Sequence, residues 1–268
     1  MQTIDSGAQR RPNPFDTALA QANSSYVGYR DSRVVPILTP DRPADALEEF
    51  VHDSFRGLVL NPKFACVAAK SAVNQGSYRM GVYREIASAE ATAGLAHDLF
   101  CFVEEQPSLG DGFSTFVASF SGPSVASELE FEQLLWQQLQ ALHNLDQPHH
   151  AWDSAVSCDP NAGDFSFSFA GRAFFIVGLH AASSRWTRRF AWPTLVFNAH
   201  AQFERLRTEG KYQRVQQIIR ARDTALQGSI NANLSDFGER SEARQYSGRT
   251  VEDEWRCPFH TQLHERTV

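Results

Sequence analysis

The sequence predicts an α+β fold: a single domain in which helices flank a mainly antiparallel sheet. Helical and extended segments follow one another in a mixed order rather than in a strict β-α-β alternation. Two Phe-rich runs meet across a short glycine-containing link, which is typical of a β-hairpin. With 268 residues, 42% of them hydrophobic, the chain is long enough to bury a sizeable core.

Hydrophobic spacing places the individual elements. Residues 1–43 are rich in Pro, Ser, Asn, Gln and Arg without a sustained period, which predicts a loosely structured arm before a domain over 44–268. Apolar residues three or four apart predict helices over 46–57, 64–74, 88–105, 126–143 and 211–226. Runs of aromatic and β-branched residues predict strands over 78–86, 114–120, 164–169, 173–179 and 194–198. In the last helix Tyr212, Val215, Ile219 and Leu226 should turn inward, and the final forty residues receive no regular structure.

Composition excludes several classes of protein. A net charge of -6 without a long Lys/Arg run argues against a nucleic-acid partner. No stretch approaches the ~20 apolar residues of a membrane helix, and no signal peptide is recognisable, so we expect a cytoplasmic protein with no membrane partner. The templates G-x-S-x-G, G-x-x-x-x-G-K, H-E-x-x-H and G-x-G-x-x-G are missing, which disfavours hydrolases, P-loop enzymes, zinc proteases and Rossmann enzymes. The sequence leaves a homodimer open.

One segment combines groups that suit a haem. After the second Phe-rich strand come His180, Ser183, Ser184, Arg185, Arg188 and Arg189. An imidazole can ligate iron, aromatic rings can flank the porphyrin, and guanidinium groups can pair with the propionates. The same pattern is also typical of a buried structural histidine beside a solvated or phosphate-binding arginine cluster.

Three other residues are candidates for a chemical role. His143 ends the strongest helix three residues before Asp146, so it is either a ligand oriented by a carboxylate or a helix-terminal histidine favoured by the helix dipole. His200 precedes Glu204 by one helical turn, which suits a proton relay, a substrate carboxylate or an ordinary surface pair. Cys66 could be a thiolate ligand or a buried thiol. The four cysteines form no C-x-x-C pair, which argues against disulfides and structural zinc.

Six phrases of the sequence resemble the YqcI/YcgG family. They are NPKFACVAAKSAVNQGSYRMGVY, LLWQQLQALHNLD, FSFSFAGRAFFIVGLHAASSRWTRRF, TLVFNAHAQFE, RARDTALQGSINANL, and SEARQYSGR followed by WRCPF. The likeness extends from about Asn61 to Phe259. Characterised members of this family are haem-dependent N-hydroxylases of guanidino groups, such as the arginine hydroxylase of the D-cycloserine pathway and the pre-guanitoxin N-hydroxylase. This chain has Ala65 where the family phrase has Pro before the cysteine, which puts a rigidly placed Cys66 in doubt.

The resemblance implies that residues 44–268 form a haem-binding catalytic domain with haem b and a small cationic guanidino substrate such as L-arginine. It favours His180 as iron ligand over His143, Cys66 and His200. For the haem it implies Phe167, Phe175, Arg185, Arg188 and Arg189; for oxygen and substrate it implies His200, Ser184 and Glu204, with Asp146, Asp153 and Asp164 as further carboxylates. Oxygen would come from O2 with an unidentified electron donor, or from peroxide. The alternatives are a haem-binding sensor or storage protein without oxygenase activity, and a haem-free interaction domain.

Overall fold

The fold is taken from a computed structural model, which describes residues 11–229 and 238–262. The helices of these residues are α1 (Ala18–Asn23), α2 (Ala46–Leu60), α3 (Val67–Gln75), α4 (Ala89–Glu105), α5 (Glu128–Asp146), α6 (His200–Thr208), α7 (Tyr212–Gln227) and α8 (Ala243–Tyr246). The strands are β1 (Val27–Arg30), β2 (Arg33–Pro36), β3 (Tyr78–Glu85), β4 (Thr115–Gly122), β5 (Phe167–Phe169), β6 (Arg172–Leu179) and β7 (Thr194–Ala199).

The strands of the described residues form one seven-stranded sheet in the order β2-β1-β3-β4-β7-β6-β5. Only β3 and β4 run parallel, because α4 carries the chain back between them; the other neighbouring pairs are antiparallel. The Phe-rich segment is the predicted hairpin, with Phe167 opposite Phe174. The α+β class with a mainly antiparallel sheet in one domain is therefore confirmed.

The N-terminal segment differs from the expected loosely structured arm. Its described part, residues 11–43, contains α1, β1 and β2, and β1 joins the main sheet with Val27 opposite Met80. The Tyr26 hydroxyl also donates to Glu105 Oε2 at 2.6 Å. These elements are only four to six residues long, so their order depends on long-range partners rather than on a local hydrophobic period.

The five predicted helices are present as α2, α3, α4, α5 and α7. The described residues add α1, α6 and α8, which were not predicted; α8 lies in the final forty residues, for which no regular structure was expected. A capping box starts α2, in which the Glu48 N–H donates to Asp45 Oδ1 at 2.8 Å and the Asp45 N–H donates to Glu48 Oε2 at 3.0 Å. The helix passes through Gly57, where we expected its end, and continues to Leu60. α6 begins directly after β7 and was not predicted. Within the described residues, we find no helix with the length and apolar character that crossing a membrane requires.

Side-chain alternation gives the sheet two different faces. The filled face is the side that carries Phe116, Phe174 and Phe197, and α4 and α5 cover it with one continuous apolar core. The cavity face is the opposite side, which carries Val177 and Val196; α2 and α3 pack there in a smaller second core. The two faces divide the molecule into a packed layer and a layer with room for a ligand.

Candidate functional site

A cavity of about 330 Å³ lies on the cavity face. Phe175, Val177 and Val196 line it from the sheet, and residues of α3, α6, α7 and α8 line its other sides. Of the four residues of α7 predicted to face inward, Tyr212, Val215 and Ile219 line the cavity and Leu226 does not. The cavity volume is within the range of about 300–1,000 Å³ typical of small-molecule sites.

Cys66 lines this cavity as the N-cap residue of α3. Its Sγ accepts a hydrogen bond from the Ala69 N–H at 3.4 Å, so the helix fixes the thiol although the preceding residue is Ala65 and not a proline. Burial raises the pKa of the thiol, while the N–H groups of Ala69 and Ala68 and the charge of Arg188 oppose that rise. The helix N-terminus and the arginine are the groups that would stabilise a metal-bound thiolate.

His200 also lines the cavity, as the first residue of α6. Its Nε2 lies 3.1 Å from Glu204 Oε1. Burial lowers the pKa of His200, and the charge of Glu204 acts in the opposite direction. An imidazole oriented by a carboxylate can ligate a metal or transfer a proton. In the part of the chain that the structure describes, His, Cys, Asp and Glu side chains form no group of three or more that could hold a metal ion.

Two of the predicted arginines reach the cavity. Arg185 is buried and forms an ion pair with Asp223. The Arg188 guanidinium donates hydrogen bonds to three backbone carbonyl oxygens. They are those of Gly178 at 3.0 Å and of Gln245 and Tyr246, both at 3.1 Å. Burial, and then the charge of Arg185, lower the pKa of Arg188 to about 10. Within the described residues Arg188 has no carboxylate at ion-pair distance, so an anion in the cavity would become its counter-ion.

His180, the ligand favoured from the sequence, lies outside the cavity. It follows β6 on the filled face, because Phe175, Val177 and Leu179 point to the cavity and the next residue points the other way. Its ring stacks on Phe131 with centroids 4.3 Å apart, and neither ring nitrogen has a hydrogen-bond partner among the residues that the structure describes. Burial lowers the pKa of His180 to about 4. The structure does not bring this imidazole to the ligand space.

His143 and Phe167 also belong to the filled face. The Nε2 of His143 accepts the Gln262 N–H at 3.0 Å, and its ring packs 5.3 Å from that of Phe259. Phe167 is fully buried in the aromatic core. Of the two phenylalanines predicted to flank a haem, Phe175 lines the cavity and Phe167 does not.

The remaining predicted polar residues are near the surface or shape loops. The exposed Ser184 donates to Glu128 Oε1 at 2.8 Å, and the exposed Arg189 stacks over the Trp186 ring at 4.3 Å. Glu204 is not a lining residue; it pairs with His200 and with Arg207. The structure therefore leaves Ser184 and Arg189 apart from the cavity and connects Glu204 to it only through its partners.

The three predicted aspartates do not line the cavity either. Asp146 is buried, accepts the Ala170 N–H at 3.0 Å and lies 2.7 Å from His150 Nδ1. Asp153 accepts the Ala173 N–H at 2.9 Å, and Asp164 is exposed. Asp146 and Asp153 thus hold the loop around the Phe-rich hairpin.

Sequence reasoning missed both carboxylates that line the cavity within the described residues, Asp223 and Glu242. Asp223 lies four residues after Ile219 on α7, so the predicted inward stripe of that helix could have identified it. Glu242 precedes the four-residue helix α8 in a polar segment without hydrophobic period. No local signal marks it, because its burial results from packing against the distant hairpin.

Comparison with known proteins agrees with the resemblance of the six phrases. The sequence profile of the YqcI/YcgG family matches residues 55–260, which include all the described cavity residues and strands β3 to β7. Searches of curated proteins and of solved structures returned no match. The matched part is well over half of the chain, and the chain therefore belongs to the YqcI/YcgG family.

Proposed function

We propose that this protein is a haem-dependent N-hydroxylase whose cavity holds haem b and a small guanidino substrate such as L-arginine. One observation carries the proposal: a largely apolar cavity contains a thiol at a helix N-terminus, an imidazole paired with a carboxylate, and the half-buried guanidinium of Arg188, which pairs with no carboxylate of the described residues. The resemblance of the sequence to haem-dependent members of the same family adds support. The chain would act in the cytoplasm.

The lining residues fit a haem. Cys66 is the favoured iron ligand, because the helix N-terminus and Arg188 both favour its ionised form, and His200 is the second candidate. Arg188 is the favoured propionate partner, since its charge has no acidic counterpart among the described residues, whereas Arg185 is already paired with Asp223. Phe175 supplies an aromatic wall. The proposal keeps Phe175 and Arg188 from the haem-binding residues that the sequence predicted, and it replaces His180 by Cys66 as the favoured iron ligand.

A bound haem would supply the oxidising chemistry, in which one oxygen atom enters an N–H bond of the substrate. With O2 the second oxygen atom leaves as water and an external donor supplies two electrons; with peroxide no donor is needed. The protein's own contribution is to exclude water with the apolar lining and to orient both groups. The His200–Glu204 pair can hold or pass a proton at His200 Nε2.

Absorption spectra of the full chain, expressed with added haem precursor, test the placement. We expect a Soret band, and a ferrous–carbonyl band shifted strongly to the red, as a thiolate ligand requires. Cys66→Ser should lose that shift, while Cys158→Ser, a matched change of a thiol outside the cavity, should keep it. His180→Ala should keep the wild-type spectrum. Haem retained unchanged in both Cys66→Ser and His200→Ala would exclude the cavity as the haem site.

Product analysis separates the proposal from its alternatives. Mass spectrometry after incubation with L-arginine, O2 and a reductant, or with peroxide, should detect N-hydroxyarginine. A haem protein without hydroxylated product from arginine or related guanidines would favour a sensor or storage role. A colourless protein after haem-supplemented expression would favour a haem-free interaction domain.

A further inference from the structure

The cavity contains a carboxylate that the proposed chemistry has not yet used. Asp223 and Glu242 are the carboxylates that line it within the described residues, and Asp223 is engaged by Arg185. Arg207 also lines the cavity, and it forms an ion pair with Glu204, which does not line it. Among the described carboxylates that line the cavity, Glu242 is therefore the one that forms no ion pair with a described residue.

The surroundings of Glu242 hold its side chain in a fixed position. It is 7% exposed, and its Oε1 accepts hydrogen bonds from Ser166 Oγ and Tyr246 Oη, both at 2.6 Å. The Tyr246 oxygen in turn accepts the Phe167 N–H at 3.1 Å, which fixes the tyrosine. Oε2 makes no hydrogen bond to any residue that the structure describes. One oxygen is thus anchored by two neutral donors, and the other remains available to a ligand.

A buried carboxylate without a counter-ion is unfavourable in the free protein. Burial raises the pKa of Glu242 to about 8, against the hydrogen bonds from Ser166 and Tyr246 and the charge of Arg207. Ser166 faces Glu242 from the segment before β5, Tyr246 from α8 and Arg207 from α6. Burial also raises the pKa of Tyr246 well above its usual value. A cationic nitrogen group placed on Oε2 would supply the missing charge and donate a hydrogen bond at the same time.

We infer that Glu242 determines the specificity of the cavity. Its Oε2 binds the guanidinium end of the ligand. This inference rests on the proposed function for the identity of the ligand, but the residue is assigned from the cavity itself. Neither hydroxyl partner carries a charge, so the preference for a cation depends on Glu242. Binding of the cation releases the carboxyl proton at neutral pH, and the affinity rises with pH as that proton is lost.

Calorimetric titration with L-arginine and L-citrulline tests the assignment. The two ligands have nearly the same shape, but the citrulline side chain is neutral, and their α-amino and α-carboxylate groups are identical. The wild-type chain should prefer arginine, and Glu242→Gln, which keeps the size and the hydrogen bonds of the side chain, should lower the arginine affinity roughly ten- to a hundredfold with little change for citrulline. Asp164→Asn changes an exposed acid that was also predicted from the sequence but does not line the cavity, and it should keep the preference for arginine.

Two results would overturn the assignment: an unchanged arginine-to-citrulline ratio in Glu242→Gln, or equal or undetectable binding of both ligands by the wild type. A second measurement needs no variant: between pH 6 and 8.5 the wild-type ratio should rise with pH, and a flat ratio contradicts the inference. The proposed function is judged separately by the Soret band and the hydroxylated product. If Glu242→Gln binds haem, is active and keeps the wild-type selectivity, only the inference about Glu242 is wrong. If the wild type is colourless but prefers arginine, and Glu242→Gln loses that preference, only the proposed function is wrong.

Discussion

The two faces of the sheet are built from the same strands but differ in what they bury. β6 sends Phe174 and Ile176 to the filled face, where both are fully buried, and sends Phe175 and Val177 to the cavity face. Nothing in the composition of the strand distinguishes the two sets. The difference arises because α4 and α5 pack directly on one face, whereas α3, α6, α7 and α8 surround a space on the other. A hydrophobic strand can therefore serve stability and ligand binding at once.

Buried charge follows the same division. On α5 the buried Glu132 is compensated by Arg249 at 2.9 Å and by the Trp255 ring N–H at 3.0 Å. On the cavity face Arg188 and Glu242 lack an ionic partner within the described residues. Because an unpaired buried charge is costly in a free protein, its position indicates where a ligand supplies the missing partner.

We expect the largest effect on stability when two neighbouring phenylalanines of β6 are replaced one at a time. Phe174→Ala leaves a hole in the filled face beside Phe197, whose ring centroid is 6.0 Å away, and should lower the free energy of unfolding by about 3–5 kcal/mol. Phe175→Ala removes a half-buried ring from the cavity wall and should lower it by only about 1 kcal/mol. Equilibrium urea unfolding of both variants measures the difference. Equal losses would mean that the cavity wall is packed as tightly as the core.

A smaller effect should follow from adding one methyl group to the filled face. A Cβ at residue 178 would meet Phe131 Cε1 at 2.5 Å and the Tyr246 carbonyl oxygen at 2.8 Å. Gly178→Ala should therefore destabilise the fold by about 1–3 kcal/mol in urea unfolding. Gly57→Ala is the matched control, since no atom of the described residues lies within 4 Å of its added Cβ near the C-terminal end of α2, and it should be neutral or stabilising. If both changes were neutral, the filled face would have to be loosely packed around β6.

Most of the fold could be predicted because its long elements carry their own pattern. The stripe of α5, Phe131, Leu135, Leu139 and Leu142, is fully buried, as its spacing indicates. α6 escaped prediction because it continues from β7 without a capping side chain or a break in the sequence. The short strands β1 and β2 escaped because pairing with each other and with β3, rather than local spacing, orders them.

The site was harder to predict than the fold, since strand alternation decides which side chains meet. Phe175 and His180 are five residues apart in the segment that looked most suited to a haem, yet they belong to opposite faces. Cys66 and His200 are far apart in sequence and meet in one cavity. A local cluster of residue types could not show this, because a shift of one position along a strand moves a side chain to the other face.

The last prediction concerns acid stability and uses His180, whose buried ring has no side-chain hydrogen bond to any described residue. Burial lowers its pKa to about 4, below the unfolded value of about 6.5, so its stability contribution is present above pH 6.5 and is lost as the pH falls toward 4. His180→Phe keeps the stack on Phe131 and removes the titration. Between pH 7 and 5.5 the variant should lose about 1 kcal/mol less unfolding free energy than the wild type. His97 gives the opposite sign as a control: its hydrogen bond with Asp98 raises its pKa, so His97→Gln should increase the loss on acidification. If His180→Phe left the pH dependence unchanged, the ring would have to be reached by water or by an anion, and the filled face would not be closed around it.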